Sequence, residues 1–136
     1  MTKKRLEAYR SEKQEIEELE YELQNLKTED YIGNSVIMDY RSGFPSPQSV
    51  VGVDVDAFWT RQSRLRTEIT RLHRRCLEVE QWVDEIPDSL MRRIFRLYYI
   101  NGNNQKTVAK QLCMERSTIS KKINEYMQMR EKNNQI

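Results

Sequence analysis

From Lys3 to Glu29 the apolar residues recur at helical spacing. Ile16, Leu19, Leu23 and Leu26 keep a 3-4-3 spacing, and Tyr9 extends the seam one heptad upstream. This is the stripe of a coiled-coil helix, uninterrupted by Gly or Pro. At ~1.5 Å per residue it would run about 40 Å, too long to persist alone in water. It needs a partner. A second stripe supplies one: Phe58, Gln62, Leu65, Ile69, Leu72, Cys76, Val79 and Val83 alternate at spacings of four and three, with only Gln62 polar. Asp54 or Asp56 stands ready to cap that helix, and Pro87 lies just past its end.

Between the stripes, residues 30–54 lose the pattern. Gly33, Gly43, Pro45, Pro47 and Gly52 punctuate a mixed stretch that reads as a loop or linker, in which Val50, Val51 and Val53 could form a short extended piece. After Pro87, taken as a first-turn residue, three shorter helices are predicted. The first carries Leu90, Ile94 and Leu97 or Tyr98 and stops at Asn101-Gly102-Asn103. The second, Gln105 to Cys113, carries Val108, Ala109 and Leu112. The third starts near Arg116 and carries Ile119, Ile123 and Tyr126 or Met127.

Charge fixes how the long helices pair. Residues 12–22 hold six Glu and one Lys, whereas residues 61–75 hold six Arg and one Glu. Antiparallel pairing that centres these blocks sets Glu17 near Glu68, a position sum of about 85, and the helix ends at the linker, Glu29 and Val55, give 84. Charge and connectivity therefore demand one register. Exposed ion pairs contribute at most ~1 kcal/mol each, so they select the register while apolar burial supplies the stability. Whether the seam closes within one chain or between two is open at this level. A seam closed within one chain leaves apolar surface around Trp59, Trp82 and Tyr98 for a partner; closed between chains, it makes a homodimer.

The expected architecture is all-α. Residues 1–85 form an antiparallel long-helix hairpin, a coiled coil with its linker at 30–54, and residues 86–136 a three-helix helix-turn-helix module. Composition agrees: 136 residues are 32% charged and 38% hydrophobic, with Gly 4 and Pro 3, too few for an all-β fold of many turns. The longest apolar runs, such as Leu97 to Ile100, are four residues, so no segment spans a bilayer. The N-terminus lacks the apolar stretch of a secretory signal, and two cysteines make no disulfide framework, so a cytoplasmic location is expected.

Candidate chemistry concentrates at the C-terminal end. Residues 86–136 carry ten Lys/Arg against four Asp/Glu, which points to a polyanionic partner. In TVAKQLCMERSTISKKI, residues 107–123, Ala109 supplies the small residue that two steeply crossing helices require, while Val108, Leu112, Ile119 and Ile123 form the inner side and Met114 plugs the turn. Cys113 stands where many such motifs put Gly, so residue type does not secure a left-handed turn, and Glu115 stands where Ser or Thr would cap. At 100° per residue the outward side of the last helix carries Ser117, Lys121, Asn124 and Gln128, with Thr118 and Glu125 nearby and Ser120 and Lys122 on the shoulders. Hydroxyls, amides and a cation suit base edges in the major groove, and Arg116 with the lysines suits phosphates.

The stretch IPDSLMRRIFRLYYINGNNQKTVAKQLCMERSTISKKI, residues 86–123, resembles region four of bacterial sigma factors. It shares the Pro before a helix, the apolar-aromatic run ending in Asn-Gly, the Val-Ala pair and the Ile-xxx-Ile spacing. The order of the whole chain is similar to that of phage and prophage regulators of Gram-positive bacteria, the ArpU-type and RinA-type late-transcription activators. That resemblance implies a transcriptional regulator reading double-stranded promoter DNA, with RNA polymerase as a further partner. It implies Arg116, Ser117, Thr118, Lys121 and Lys122 as DNA contacts. Region four alone cannot melt a promoter, so an activator or accessory regulator fits better than a complete sigma factor. Two other readings use the same elements: a coiled-coil interaction scaffold, and a small terminase subunit of phage DNA packaging. In the latter the DNA reader usually comes first in the chain, whereas here it comes last.

The chain is not expected to be an enzyme, and no cofactor or metal is expected. His73 sits among Arg71, Arg74 and Arg75 as a surface residue, and one His with two separated Cys makes no ligand cluster. No phosphate loop or nucleophile motif occurs. Cys76 and Cys113 read as small core hydrophobes, and Trp59 and Trp82 as residues packed on neighbouring helices. The acidic partner helix accounts for the arginine run from Arg61 to Arg75 better than bound phosphate does.

Overall fold

The computed structural model describes residues 1–39, 43 and 46–134. Helix α1 spans Lys3–Gln24, and a single 3-10 turn follows at Thr28–Tyr31. Strands β1 (Ile32–Asp39) and β2 (Ser46–Val53) precede α2 (Val55–Asp84), α3 (Ser89–Phe95), α4 (Gln105–Gln111) and α5 (Arg116–Asn134). The long helices α1 and α2 pack as an antiparallel pair, so the seam closes within the chain, and shorter helices follow. None of the described helices is long and apolar enough to cross a membrane.

The segment expected as a loop or linker is instead a β-ribbon. β1 and β2 pair antiparallel from Ile32 opposite Val53 to Asp39 opposite Ser46. A ladder satisfies in pairs the backbone N–H and C=O groups that an irregular connection would leave to water. Pro47 lies inside it, opposite Met38, which is tolerable because each strand of a two-stranded ribbon is an edge. At the base of the ribbon Asp54 N–H donates to the Tyr31 carbonyl at 2.7 Å. The Asp54 carboxylate then accepts from Ala57 N–H at 3.0 Å, making Asp54 the cap of α2.

Two compact units share the long helices. One comprises Met1–Ile16 with Arg71–Ile136, the other Glu17–Thr70. In the second unit Leu65 is buried, Leu19, Leu23, Leu26 and Ile69 are half-buried, and Glu22 pairs with Arg61. Phe58 meets Tyr31 and Trp59 edge-on at 5.9 and 5.5 Å. Trp59 itself is 55% exposed, contrary to the expectation that it packs on a neighbouring helix.

The first unit holds most of the core. Leu6, Tyr9 and Ile16 of α1 are buried, as are Leu72, Cys76, Val79 and Val83 of α2. Here the charge register is realised: Arg5 reaches Glu78 at 2.5 Å, and Arg75 reaches Glu12 at 2.9 Å. The position numbers of these pairs, and of Glu22 with Arg61, add to 83, 87 and 83. Ile86, Met91, Ile94, Phe95 and Tyr99 continue the core beyond α2.

Two local details differ from the sequence reading. Pro87 precedes the cap instead of opening the helix, because Asp88 accepts from Met91 N–H at 3.1 Å and α3 starts at Ser89. After α3, residues Arg96–Ile100 form a π-turn in which Asn101 N–H bonds the Arg96 carbonyl at 2.9 Å. The wider turn advances the buried position by one residue, so Tyr99 goes inward while Leu97 and Tyr98 stay half-buried. Gly102, at φ +76°, then reverses the chain as expected of the Asn-Gly pair. The Arg10 side chain lies across Gly102 and donates to the Ile100 carbonyl at 3.1 Å.

Two buried phenols differ in their partners. Tyr9 donates to the Glu80 carboxylate at 2.6 Å, whereas the Tyr99 hydroxyl has no partner among the described residues. Burial first, then in Tyr9 the hydrogen bond to Glu80, raises both above the ordinary tyrosine range. Unfolded tyrosines lose their protons first, so the stability these groups confer falls as pH climbs past ~10. Tyr9→Phe should therefore lower unfolding free energy by about 1.5 kcal/mol in urea titrations. Tyr99→Phe should leave it unchanged or raise it by about 1 kcal/mol. Equal losses in the two variants would contradict this assignment.

Candidate nucleic-acid interface

The C-terminal helices meet through small and branched side chains. The Asn104 side chain caps α4, accepting from Thr107 N–H at 2.8 Å. Val108 and Ala109 are buried on α4, and Ile119 and Ile123 are buried on α5, the positions expected to face inward. Leu112 and Met114 are half-buried between them.

The turn joining α4 and α5 is a Schellman motif made without glycine. Met114 N–H donates to the Ala109 carbonyl at 2.9 Å, and Cys113 N–H to the Lys110 carbonyl at 3.4 Å. Cys113 adopts φ +54°, so the left-handed turn that its residue type left unsecured is formed. The same geometry overturns the expectation that Cys113 is a core hydrophobe: on the outside of the turn its thiol is exposed. Cys76 is buried, and burial raises its thiol above the ordinary range. The Glu115 carbonyl then starts α5, accepting from Thr118 and Ile119 N–H at 3.1 and 3.2 Å.

An aromatic cluster holds the rest of α5. Tyr126 meets Phe95 at 5.3 Å and Trp82 at 6.1 Å, and Trp82 meets Phe95 at 5.6 Å. Arg130 lies over Trp82 at 5.7 Å and over Tyr126 at 6.0 Å. Trp82 thus packs on neighbouring helices as the sequence suggested. With Tyr126 and Met127 both buried, the inward side of α5 is fixed, and its outward side follows.

On that outward side Ser117, Lys121, Asn124 and Gln128 are exposed, and Arg116 is exposed at the helix start. Thr118, Ser120 and Lys122 are half-buried on the flanks. Lys121 faces Glu125 at 4.0 Å, both well exposed, a contact of little energetic weight. On α4, Lys106 and Lys110 are also exposed.

One neighbour of this side comes from the other end of the chain. Lys3 Nζ donates to Asn124 Oδ1 at 3.2 Å. An Asn reading adenine needs both its amide oxygen and its NH₂ group. Lys3 takes one of the two lone pairs of that oxygen and sets a cation beside it, so the ammonium competes with any further donor there. No local pattern could signal this contact, since 121 positions separate the partners.

The arginine run of α2 is used in part by the acidic helix. Arg61 and Arg75 pair with Glu22 and Glu12, while Arg64, Arg66 and Arg74 are exposed. Among the described residues no group of His, Cys, Asp and Glu is arranged to hold a metal ion.

Compared with protein-family models, with curated proteins and with solved structures, the chain gives no match.

The left-handed Cys113 makes a prediction of its own. A non-glycine residue at such a position costs roughly 1–2 kcal/mol, part of which returns as unfolded-state entropy when Gly replaces it. Cys113→Gly should raise unfolding free energy by about 0.5–1 kcal/mol in denaturant titrations. Cys113→Val, β-branched at the same φ, should lower it by more than 1 kcal/mol.

Proposed function

We propose that this chain is a sequence-specific DNA-binding transcriptional regulator, of the phage or prophage kind its sequence resembles, with α5 as the reading helix. The observation that carries the reading is the two-sidedness of α5. Its aliphatic and aromatic side, Ile119, Ile123, Tyr126 and Met127, is buried, while Ser117, Lys121, Asn124 and Gln128 stand outward. In helix-turn-helix readers the second helix enters the major groove and its N-terminal residues meet base edges. Ser117, Thr118, Ser120 and Lys121 would take that part, with Arg116 and Lys122 on phosphates and Asn124 and Gln128 further along the helix. The antiparallel helix pair would carry the reader; with its seam closed within the chain, two copies engaging two half-sites would pair through another surface and gain affinity by linkage. RNA polymerase is a further partner on this reading, and activation at promoters is the corresponding role.

Fluorescence titration of the full chain with mixed duplex DNA at two salt concentrations tests the proposal. Binding should weaken steeply with salt, because each neutralised phosphate adds ~0.9 to the slope of log affinity against log salt. Lys121→Glu with Lys122→Glu should reduce affinity at least tenfold while leaving the helical circular dichroism unchanged. Selection from a random duplex pool should then recover a preferred sequence. Absence of binding at low salt would put the interaction-scaffold reading ahead.

A further inference from the structure

The chain opens with three consecutive cations, Lys3, Lys4 and Arg5, whose surroundings differ. Arg5 belongs to the helix pair, with its guanidinium 2.5 Å from the Glu78 carboxylate. Lys4 is exposed and has no ion pair among the described residues. Lys3 is exposed as well, and its ammonium rests on the amide oxygen of Asn124, a neutral acceptor on the outward side of α5. That side already carries Lys121, one turn before Asn124, and Arg116 at the helix start, with Lys122 on its flank. Glu125 offsets only part of that positive charge, so a cation drawn there by one exposed hydrogen bond gains little by itself. It becomes favourable when an anion lies against the same surface.

Position identifies the anion. Asn124 lies eight residues beyond Arg116, roughly 12 Å along the helix axis at ~1.5 Å per residue. If the first turns of α5 meet base edges, a group beside Asn124 stands where the helix leaves the groove and meets the sugar-phosphate strand. Lysine ammonium groups on flexible stems suit phosphate there as point charges, with no demand on base identity. Resting on the regulator reading above, we infer that Lys3 and Lys4 form a second DNA-contacting element: a phosphate clamp supplied by the start of α1 to the strand flanking the groove occupied by α5. The clamp adds affinity without sequence preference. It also makes the start of α1 part of the DNA interface.

The test compares the full-length chain with Lys3→Ala plus Lys4→Ala, and with Lys3→Arg plus Lys4→Arg. Fluorescence anisotropy would follow binding to a selected duplex and a scrambled one at about 50 and about 200 mM salt. Two lost phosphate contacts at ~0.9 each mean that the wild type should lose about twelvefold more affinity than the alanine variant over this fourfold rise. The alanine variant should weaken on both duplexes alike and keep the ratio between them, while the arginine variant restores the slope. Circular dichroism and thermal melting of the alanine variant should match the wild type, since both side chains are exposed. Unchanged affinity and slope would overturn the clamp and leave the regulator reading intact. Tighter binding by the alanine variant would also overturn it, identifying Lys3 as a cover over Asn124 that must leave. Failure of the wild type to bind either duplex at the lower salt would remove both.

Discussion

A thirty-residue helix with an apolar stripe along its length cannot remain in water unaccompanied, and burial of the α2 stripe is the constraint from which the rest of this structure follows. Its later stretch, Leu72 to Val83, is 1% exposed or less at every seam position, covered within a unit that contains both the start of α1 and the short C-terminal helices. Burying a residue such as Val83 or Leu72 is worth roughly 1.5–3 kcal/mol. Exposed ion pairs, at ~1 kcal/mol or less, do not approach that. Arg5 with Glu78 and Arg75 with Glu12 choose among registers that the apolar stripe alone would tolerate.

The same economy of means sets the orientation of α5. Its first turns are fixed by the Schellman turn, which accepts a left-handed Cys113 in order to pair the Ala109 and Lys110 carbonyls. Its later turns are fixed by Tyr126 against Phe95 and Trp82. With both ends held, a polar strip from Ser117 to Gln128 can only face outward. The DNA-reading proposal depends on that strip, and the chemistry it presents is hydroxyl, amide and ammonium.

Electrostatics and position interact at Asn124. As an isolated side chain it has the amide pair that can read adenine; with Lys3 on its oxygen, one acceptor site is occupied and a cation stands beside it. The start of α1 thus meets the middle of α5 on one surface. A basic N-terminal turn acquires a meaning that neither its composition nor its helical period supplied.

Much of this was legible in the sequence because it is local. The 3-4 spacing of Leu65, Ile69, Leu72 and Cys76, the capping Asp54, the Gly102 turn and the Val108–Ala109 pair each act within a few residues of themselves. Even the helix register was legible, since opposed blocks of Glu and Arg on two antiparallel helices allow few solutions. Of the β-ribbon only the extended Val50, Val51 and Val53 were legible, because Gly33, Pro47 and Gly52 are strong local signals for a loop. Tyr99 in place of Tyr98 depended on a π-turn that no 3.6-residue period anticipates. Lys3 on Asn124 lay furthest from reach: the sequence determined that both residues stand on helices, and only the folding of α1 back along α2 decided that they touch.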